Sequence, residues 1–218
     1  MTATIGLGFD DVFERALAGL PCWVSDRTGV RRPLPVRRWL GGEQSSPTDR
    51  SIDEALLARC SGTVLDVGCG PGRLVAELSA LGEVALGIDS SGVAVRHTLS
   101  RGGRAVQGDV HGPVLREGAW DRVLLADGNI GIGGDPVALL RRCRTLLAPG
   151  GLVVAELHGP DASWQGEIRF ETESVTGEWF PWATVAATSV DEVAHPAGLA
   201  VVERVEVAGA VLVVMAPR

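Results

Sequence analysis

Short apolar runs alternate along this chain with segments whose apolar residues recur every three or four positions. The runs at 64–67, 83–88, 106–110, 120–126 and 152–157 have the length and β-branched character of buried strands. The intervening segments 73–81, 92–99 and 135–147 have helical spacing. Ahead of them, Val12, Phe13, Ala16, Leu17 and Leu20 predict an amphipathic helix over 10–20, and Ile52, Ala55, Leu56 and Cys60 give a second helix its apolar side. Strands alternating with helices predict a parallel sheet covered on both faces. The last runs, 200–207 and 210–215, meet at Ala208-Gly209 and read as an antiparallel hairpin added to that sheet.

Boundary residues refine the pattern. Ser51 with Glu54, and Ser189 with Glu192, have capping-box spacing, the second introducing a helix to about 197. Asp135 before Pro136 is an N-cap and first-turn pair, and Ala148-Pro149-Gly150-Gly151 is a turn before the fifth strand. Between the fifth strand and the 189–197 helix, 167–176 and 178–185 predict two strands about Gly177, with Trp164, Phe170, Trp179, Phe180 and Trp182 nearby. These aromatics fit either an acceptor pocket or core and oligomer packing, and Arg169 is placed to hold an acid. The most loop-like stretch, 25–49, carries Arg27, Arg31, Arg32, Arg37 and Arg38 and ends in Trp39. It reads as a solvated basic loop or as a lid over a bound ligand.

Composition narrows the classes. With 218 residues and 45% hydrophobic content, one domain is expected, divided into an N-terminal helical cover over 1–61 and a core over 62–218 with a hairpin insertion near 163–186. A net charge of −7 argues against nucleic acid and anionic membrane surfaces as partners. Every basic residue is arginine and tyrosine is absent, which excludes lysine and tyrosine chemistry. Cys22, Cys60, Cys69 and Cys143 form no CxxC pair, so neither a metal site nor a disulfide framework is expected. No apolar run approaches the roughly 20 residues that span a bilayer, and the N-terminus lacks a basic segment followed by an apolar core. A soluble cytoplasmic protein is the expectation.

The most informative stretch is Val64-Leu65-Asp66-Val67-Gly68-Cys69-Gly70-Pro71-Gly72-Arg73. An apolar run reaches an acid, turns through glycines spaced two apart and enters a helix, a layout that lets a ligand lie on the main chain. The helix start offers unpaired N–H groups, with Pro71 expected in its first turn. A dinucleotide-binding turn would place Gly or Ala where Arg73 stands, and Asp66 would repel a pyrophosphate. Asp66 is instead suited to accept from a ligand's amine or from the loop's own N–H groups. Asp89, 23 residues after Asp66 and closing the second strand, suits a ribose diol, or with Ser90 and Ser91 caps the following helix. Because ligands of open α/β sheets lie beyond the carboxyl ends of the strands, Asp127 and Asn129 are expected beside the reacting groups, Asp127 as a contact to the bound cofactor.

This stretch resembles motif I of the class I S-adenosylmethionine-dependent methyltransferases, and the likeness extends over 63–157 and less firmly over the final hairpin. The resemblance implies a Rossmann-like, mostly parallel sheet and transfer of a methyl group from S-adenosyl-L-methionine to a small-molecule acceptor, by O- or N-methylation, leaving S-adenosyl-L-homocysteine. It places Gly68, Cys69, Gly70, Pro71, Gly72 and Asp66 on the methionine part, Asp89 with Ser90 on the ribose, Asp109 on the adenine amino group and Val110 against the ring. Asp127-Gly128-Asn129-Ile130 departs from the Asn/Asp-Pro-Pro-aromatic motif of adenine- and glutamine-modifying enzymes, so those substrates are not expected. The loop through Pro136 resembles small-molecule methyltransferases of GC-rich bacteria. His158, at a strand's carboxyl end, is the candidate general base, with Asn129 beside it, whereas His97, His111 and His195 read as helix or loop histidines. A noncatalytic S-adenosylmethionine-binding protein and a nicotinamide oxidoreductase are the alternative classes, and a homodimer is an open expectation.

Overall fold

A computed structural model of the chain describes residues 9–157 and 162–218. In order, the elements are α1 (Phe9–Leu17), β1 (Trp23–Asp26), β2 (Arg31–Pro33), α2 (Val36–Leu40), α3 (Pro47–Leu57), β3 (Thr63–Val67), α4 (Arg73–Ala80), β4 (Val84–Asp89), α5 (Gly92–Ser100), β5 (Ala105–Gln107), β6 (Trp120–Leu125), α6 (Pro136–Leu146), β7 (Leu147–Leu157), β8 (Trp164–Glu171), β9 (Phe180–Thr184), α7 (Val190–Ala194), β10 (Leu199–Val207) and β11 (Ala210–Pro217). Seven strands form one sheet in the order β10-β11-β7-β6-β3-β4-β5. β3 through β7 pair in parallel, and β11 runs antiparallel between β7 and β10. This is the mostly parallel Rossmann-like sheet with a C-terminal antiparallel hairpin expected from the alternating pattern.

The strand period of two divides the core. On β3, Leu65 and Val67 pack toward α6, α7 and β10, in a cluster that includes Ile88, Leu139, Leu140, Cys143 and Val190. Val64 faces the other way, where Ile52 and Leu56 of α3 and Leu74, Val75 and Leu78 of α4 cover the sheet. Fully burying each such side chain contributes about 1.5–3 kcal/mol. That second face also receives Asp66, because it stands two residues after Val64 on the strand.

The 1–61 region and the insertion differ from expectation together. The cover is not only helical: β1 and β2 form a hairpin, and β1 pairs antiparallel with β8, giving a four-stranded sheet β2-β1-β8-β9. A strand of four residues such as Trp23-Val24-Ser25-Asp26 is too short to show a period, and its partner lies more than 140 positions away. Cover and insertion are therefore one layer, packed through Val12, Ala16, Leu34, Trp39 and Phe170.

Two expected caps are also corrected. α3 starts earlier, with Ser46 and Asp49 forming its capping box, and the Ser51 hydroxyl donates to the Pro47 carbonyl inside the helix. Ser189 makes no side-chain cap to α7. The Pro149-Gly150-Gly151 turn is absorbed into β7 as an irregularity, between the pairs Trp120↔Leu147 and Arg122↔Leu152. Among the described residues, no helix is long and apolar enough to cross a membrane.

Candidate functional site

The site grows from the end of β3. Gly68 and Cys69 both donate their N–H groups to the Ile88 carbonyl, at 2.8 and 3.3 Å, which folds the turn back over β4. Gly68 has φ +70°, and a Cβ there would sit 2.7 Å from the Asn129 amide nitrogen. That amide donates to the carbonyls of Val67 and Gly68, both at 2.9 Å. The side chain expected to assist chemistry is thus a clamp on the turn. Gly72, also left-handed, is the N-cap of α4, and a Cβ on it would strike the Thr98 side chain, so it serves packing rather than the cavity. Pro71 lies ahead of that cap, outside the first helical turn where it was expected. Cys69 points its thiol at Thr98 and Gly87, and burial raises its pKa.

Asp89 is held in place from two sides. Its Oδ2 accepts from the Gly70 N–H at 2.9 Å and its Oδ1 from the Ser91 N–H at 2.8 Å. Burial raises its pKa most, the two N–H groups oppose that, and Asp10 adds a further rise. The helix cap is Ser91, whose hydroxyl accepts from Ala94, so capping does not consume Asp89. Ser90 is exposed on the cavity rim. Asp109 accepts from the His111 N–H in a local turn, and Val110 is buried with its carbonyl taking the Arg142 guanidinium at 2.8 Å.

Asp66 lies deeper, 2% exposed, on the face shared with α3 and α4. Burial pushes its pKa up to about 7, with Arg73 opposing and Asp127, Asp89 and Asp53 adding to the rise. Around it lies an ion network that sequence reading missed. Arg38, 8% exposed, donates to Asp127 at 2.6 Å, Glu156 at 2.7 Å and Asp49 at 3.0 Å. Arg73 donates to both oxygens of Asp127 at 2.8 Å, pairs with Asp53 at 3.2 Å and donates to the Arg38 carbonyl. Glu156 accepts from the Asp127 N–H at 2.9 Å. Burial raises the pKa of Asp127, but the two guanidiniums outweigh it and leave the carboxyl below its ordinary value.

Asp127 was expected on the cofactor. Its carboxylate is taken instead by Arg38 and Arg73, on a residue whose backbone is left-handed at φ +53°. In the basic stretch, Arg27, Arg31, Arg32 and Arg37 are exposed, as a solvated segment would have them, but β1, β2 and α2 order it and Arg38 is its buried anchor. Two signals pointed to the network: Arg73 directly after the last glycine of the turn, and Glu156 in an otherwise apolar strand.

These elements enclose a cavity of about 1350 Å³. One side is the carboxyl ends of β3, β4 and β5, with Asp66, Gly68, Cys69, Gly70, Pro71, Asp89, Ser90, Asp109 and Val110. The other side is the four-stranded sheet and α2, with Trp39, Phe170, Phe180 and Trp182. Asp127 and Asn129 reach the lining between them. Arg169, expected to hold an acid ligand, pairs with Glu171 and stacks on Trp179. His158 lies outside the described residues.

A family model described as "Methyltransferase domain" matches residues 64–151. The ubiquinone biosynthesis O-methyltransferase of Paraburkholderia xenovorans (strain LB400) is 38% identical over 98 residues, and that of Paraburkholderia phytofirmans is 36% identical over 97. Each match covers 42% of this chain and 42% of the relative, so the likeness spans less than half the length of these curated relatives. Among solved structures, a SAM-dependent methyltransferase from Bacteroides fragilis in complex with S-adenosyl-L-homocysteine superimposes with TM-score 0.79 at 20% identity, over 100% of this chain and 99% of that one. The CcbJ methyltransferase from Streptomyces caelestis gives TM-score 0.60 at 19% identity, over 81% of this chain and 92% of the other. Residues 64–151 therefore match the methyltransferase-domain family, and the chain has the fold of the class I S-adenosylmethionine-dependent methyltransferases.

Proposed function

We propose that the protein transfers a methyl group from S-adenosyl-L-methionine to a small organic acceptor, at oxygen or nitrogen. The observation that carries this reading is the Gly70–Asp89 unit. The turn is open over Gly70, where nothing lies within 4 Å of an added Cβ, and it is tied by its own N–H to a fixed carboxylate on the cavity wall. The fit to the cofactor is chemical as well as spatial. Each Asp89 oxygen retains a lone pair for a hydroxyl donor after accepting one N–H. Asp66, in the same lining, can accept from a cationic amine, whose charge would offset the burial that raises its pKa to about 7. The matched O-methyltransferases act in ubiquinone biosynthesis, as their names state, which supports a small-molecule acceptor.

In this reading Gly68, Cys69 and Gly70, with Pro71 and Asp66, form the methionine cradle, and Gly72 packs the turn against α5 from outside the cavity. Asp89 and Ser90 take the ribose, and Asp109 and Val110 the adenine. S-adenosyl-L-methionine, when bound, supplies an already activated methyl group. The chain's tasks are then to orient the acceptor's lone pair and keep water out. Asn129 and Asp127 act at one remove, by fixing the turn and the cover. His158, next in sequence after β7, remains the candidate base for an acceptor hydroxyl.

The test is turnover. Purified protein incubated with methyl-labelled S-adenosylmethionine and pooled phenolic, amine and thiol acceptors should release S-adenosylhomocysteine only when an acceptor is present, and should do so far more slowly with Asp89→Ala. Cofactor binding without transfer to any pool would favour the noncatalytic alternative.

A further inference from the structure

The acceptor's chemical class is written in the half of the cavity that the cofactor motifs do not line; this inference rests on the methyl-transfer reading. A row of rings crosses that half. Phe13 meets Trp39 at 5.7 Å, Trp39 meets Phe170 at 6.2 Å, Phe170 meets Phe180 at 5.5 Å, and Phe180 meets Trp182 at 6.3 Å. The last two pairs are edge-to-face, at 85° and 88°, so neighbouring rings offer an edge beside a face. The row ends beside the turn after β3: Trp182 bridges to Ile132, whose side chain abuts Gly68. Of the nearby cations, Arg27 and Arg169 stack on Trp179 and pair with Glu167 and Glu171, while Arg32 and Glu178, both exposed, also line the cavity. Asp26 is spent on its own turn with Thr28 and Val30. Thr184, also in the lining, has a buried hydroxyl with no partner among the described residues.

We propose that this compartment takes a flat aromatic or heteroaromatic ring bearing a hydroxyl group that pairs with Thr184. An aromatic guest meets ring edges with its face and ring faces with its edge, a gain that a saturated ring of equal size lacks.

The test is calorimetry on the protein with and without S-adenosylhomocysteine, using 1-naphthol, its saturated counterpart 1-decalol and the hydroxyl-free naphthalene. Expected is binding of 1-naphthol at least about tenfold tighter than of the other two. Phe180→Leu should erase the preference over 1-decalol. Thr184→Val should weaken 1-naphthol about tenfold and leave naphthalene unchanged, with retained S-adenosylhomocysteine binding confirming that the variants are folded. Equal affinity for 1-decalol, or for naphthalene, overturns the proposal. If 1-naphthol binds but S-adenosylhomocysteine does not, the methyl-transfer reading fails and the ring site stands.

A separate observation concerns the cofactor half. Asp10, at the start of α1 and one of the lining residues, accepts from the Gly92 N–H through Oδ2 at 3.2 Å, while its buried Oδ1 has no partner among the described residues. The same carboxylate is close enough to Asp89 to raise that residue's pKa. Two carboxylates sharing one space are relieved by a ligand that donates to both. We infer that Asp10 joins Asp89 on the ribose diol, so that the cover contributes directly to cofactor binding. Asp10→Ala should weaken S-adenosylhomocysteine about tenfold and its 2′,3′-dideoxy analogue scarcely at all. An equal loss for both ligands would show that Asp10 only caps α5, and wild-type protein that binds neither would defeat the methyl-transfer reading itself.

Discussion

Asn129 shows how a residue can stand beside the chemistry without performing it. Its amide spans two consecutive carbonyls of the turn, and Gly68 has no room for a side chain beneath it. Asn129→Ala should cost about 1–3 kcal/mol of stability, because two buried carbonyls lose their donor. It should also weaken cofactor binding about tenfold as the turn relaxes, with kcat at saturating cofactor nearly unchanged. Chemical denaturation and steady-state kinetics on one preparation check both, and a fall in kcat alone would assign the amide to the reaction instead. At this scale the positions of Asp66, Gly68, Gly70, Asp89, Asp109 and Val110 on the cavity were legible, because glycine and acid spacing after an apolar run is local information. The roles of Asp127 and Asn129 were not, because their partners Arg38, Arg73 and the β3 carbonyls come from distant positions that local spacing does not connect.

Among elements, the central relation is between α2 and β6–β7. Arg38 carries α2 onto the sheet by pairing with Asp127 and Glu156, and the adjacent Trp39 thereby reaches the cavity and packs between Phe13 and Phe170. Breaking a buried pair by removing one partner leaves uncompensated charge, and Arg38→Ala should cost about 3–5 kcal/mol. Hydrogen exchange should accelerate across α2 and the β1–β2 hairpin in that variant, while the β3–β4 amides stay protected. Uniform exchange across both regions would show that the network holds the whole domain rather than the cover. The core elements were readable because each strand or helix satisfies its own period. The four-stranded sheet was not, since β1 and β2 are too short for a pattern and their register is set by β8, at the far end of the chain.

For the whole molecule, the acids of the site set opposite pH demands. Asp66 and Asp53, raised to about 7 and about 6 chiefly by burial, bind protons in the folded state that the unfolded chain has released. Folding stability should therefore fall as pH rises from about 4 to about 7, then level off. Asp127 and Asp49, held low by arginines and, for Asp49, by Ser46 against the rise from burial, act in the other direction. Their contribution is present above the unfolded carboxylate range and is lost as pH falls through their folded values. Thermal melts of the cofactor-free protein should thus peak in mild acid. Asp66→Asn should flatten the descent toward neutrality, and a wild-type melt that rises steadily from pH 5 to 8 would contradict the assignment.

The claim on which the rest depends is that the Gly70–Asp89 unit binds an S-adenosyl nucleoside, and calorimetry of wild type and Asp89→Ala with S-adenosylmethionine and S-adenosylhomocysteine tests it most directly. Micromolar affinity, about −8 kcal/mol, is predicted for the wild type and its loss for the variant. No heat with either ligand, or equal affinity in Asp89→Ala, would contradict the account.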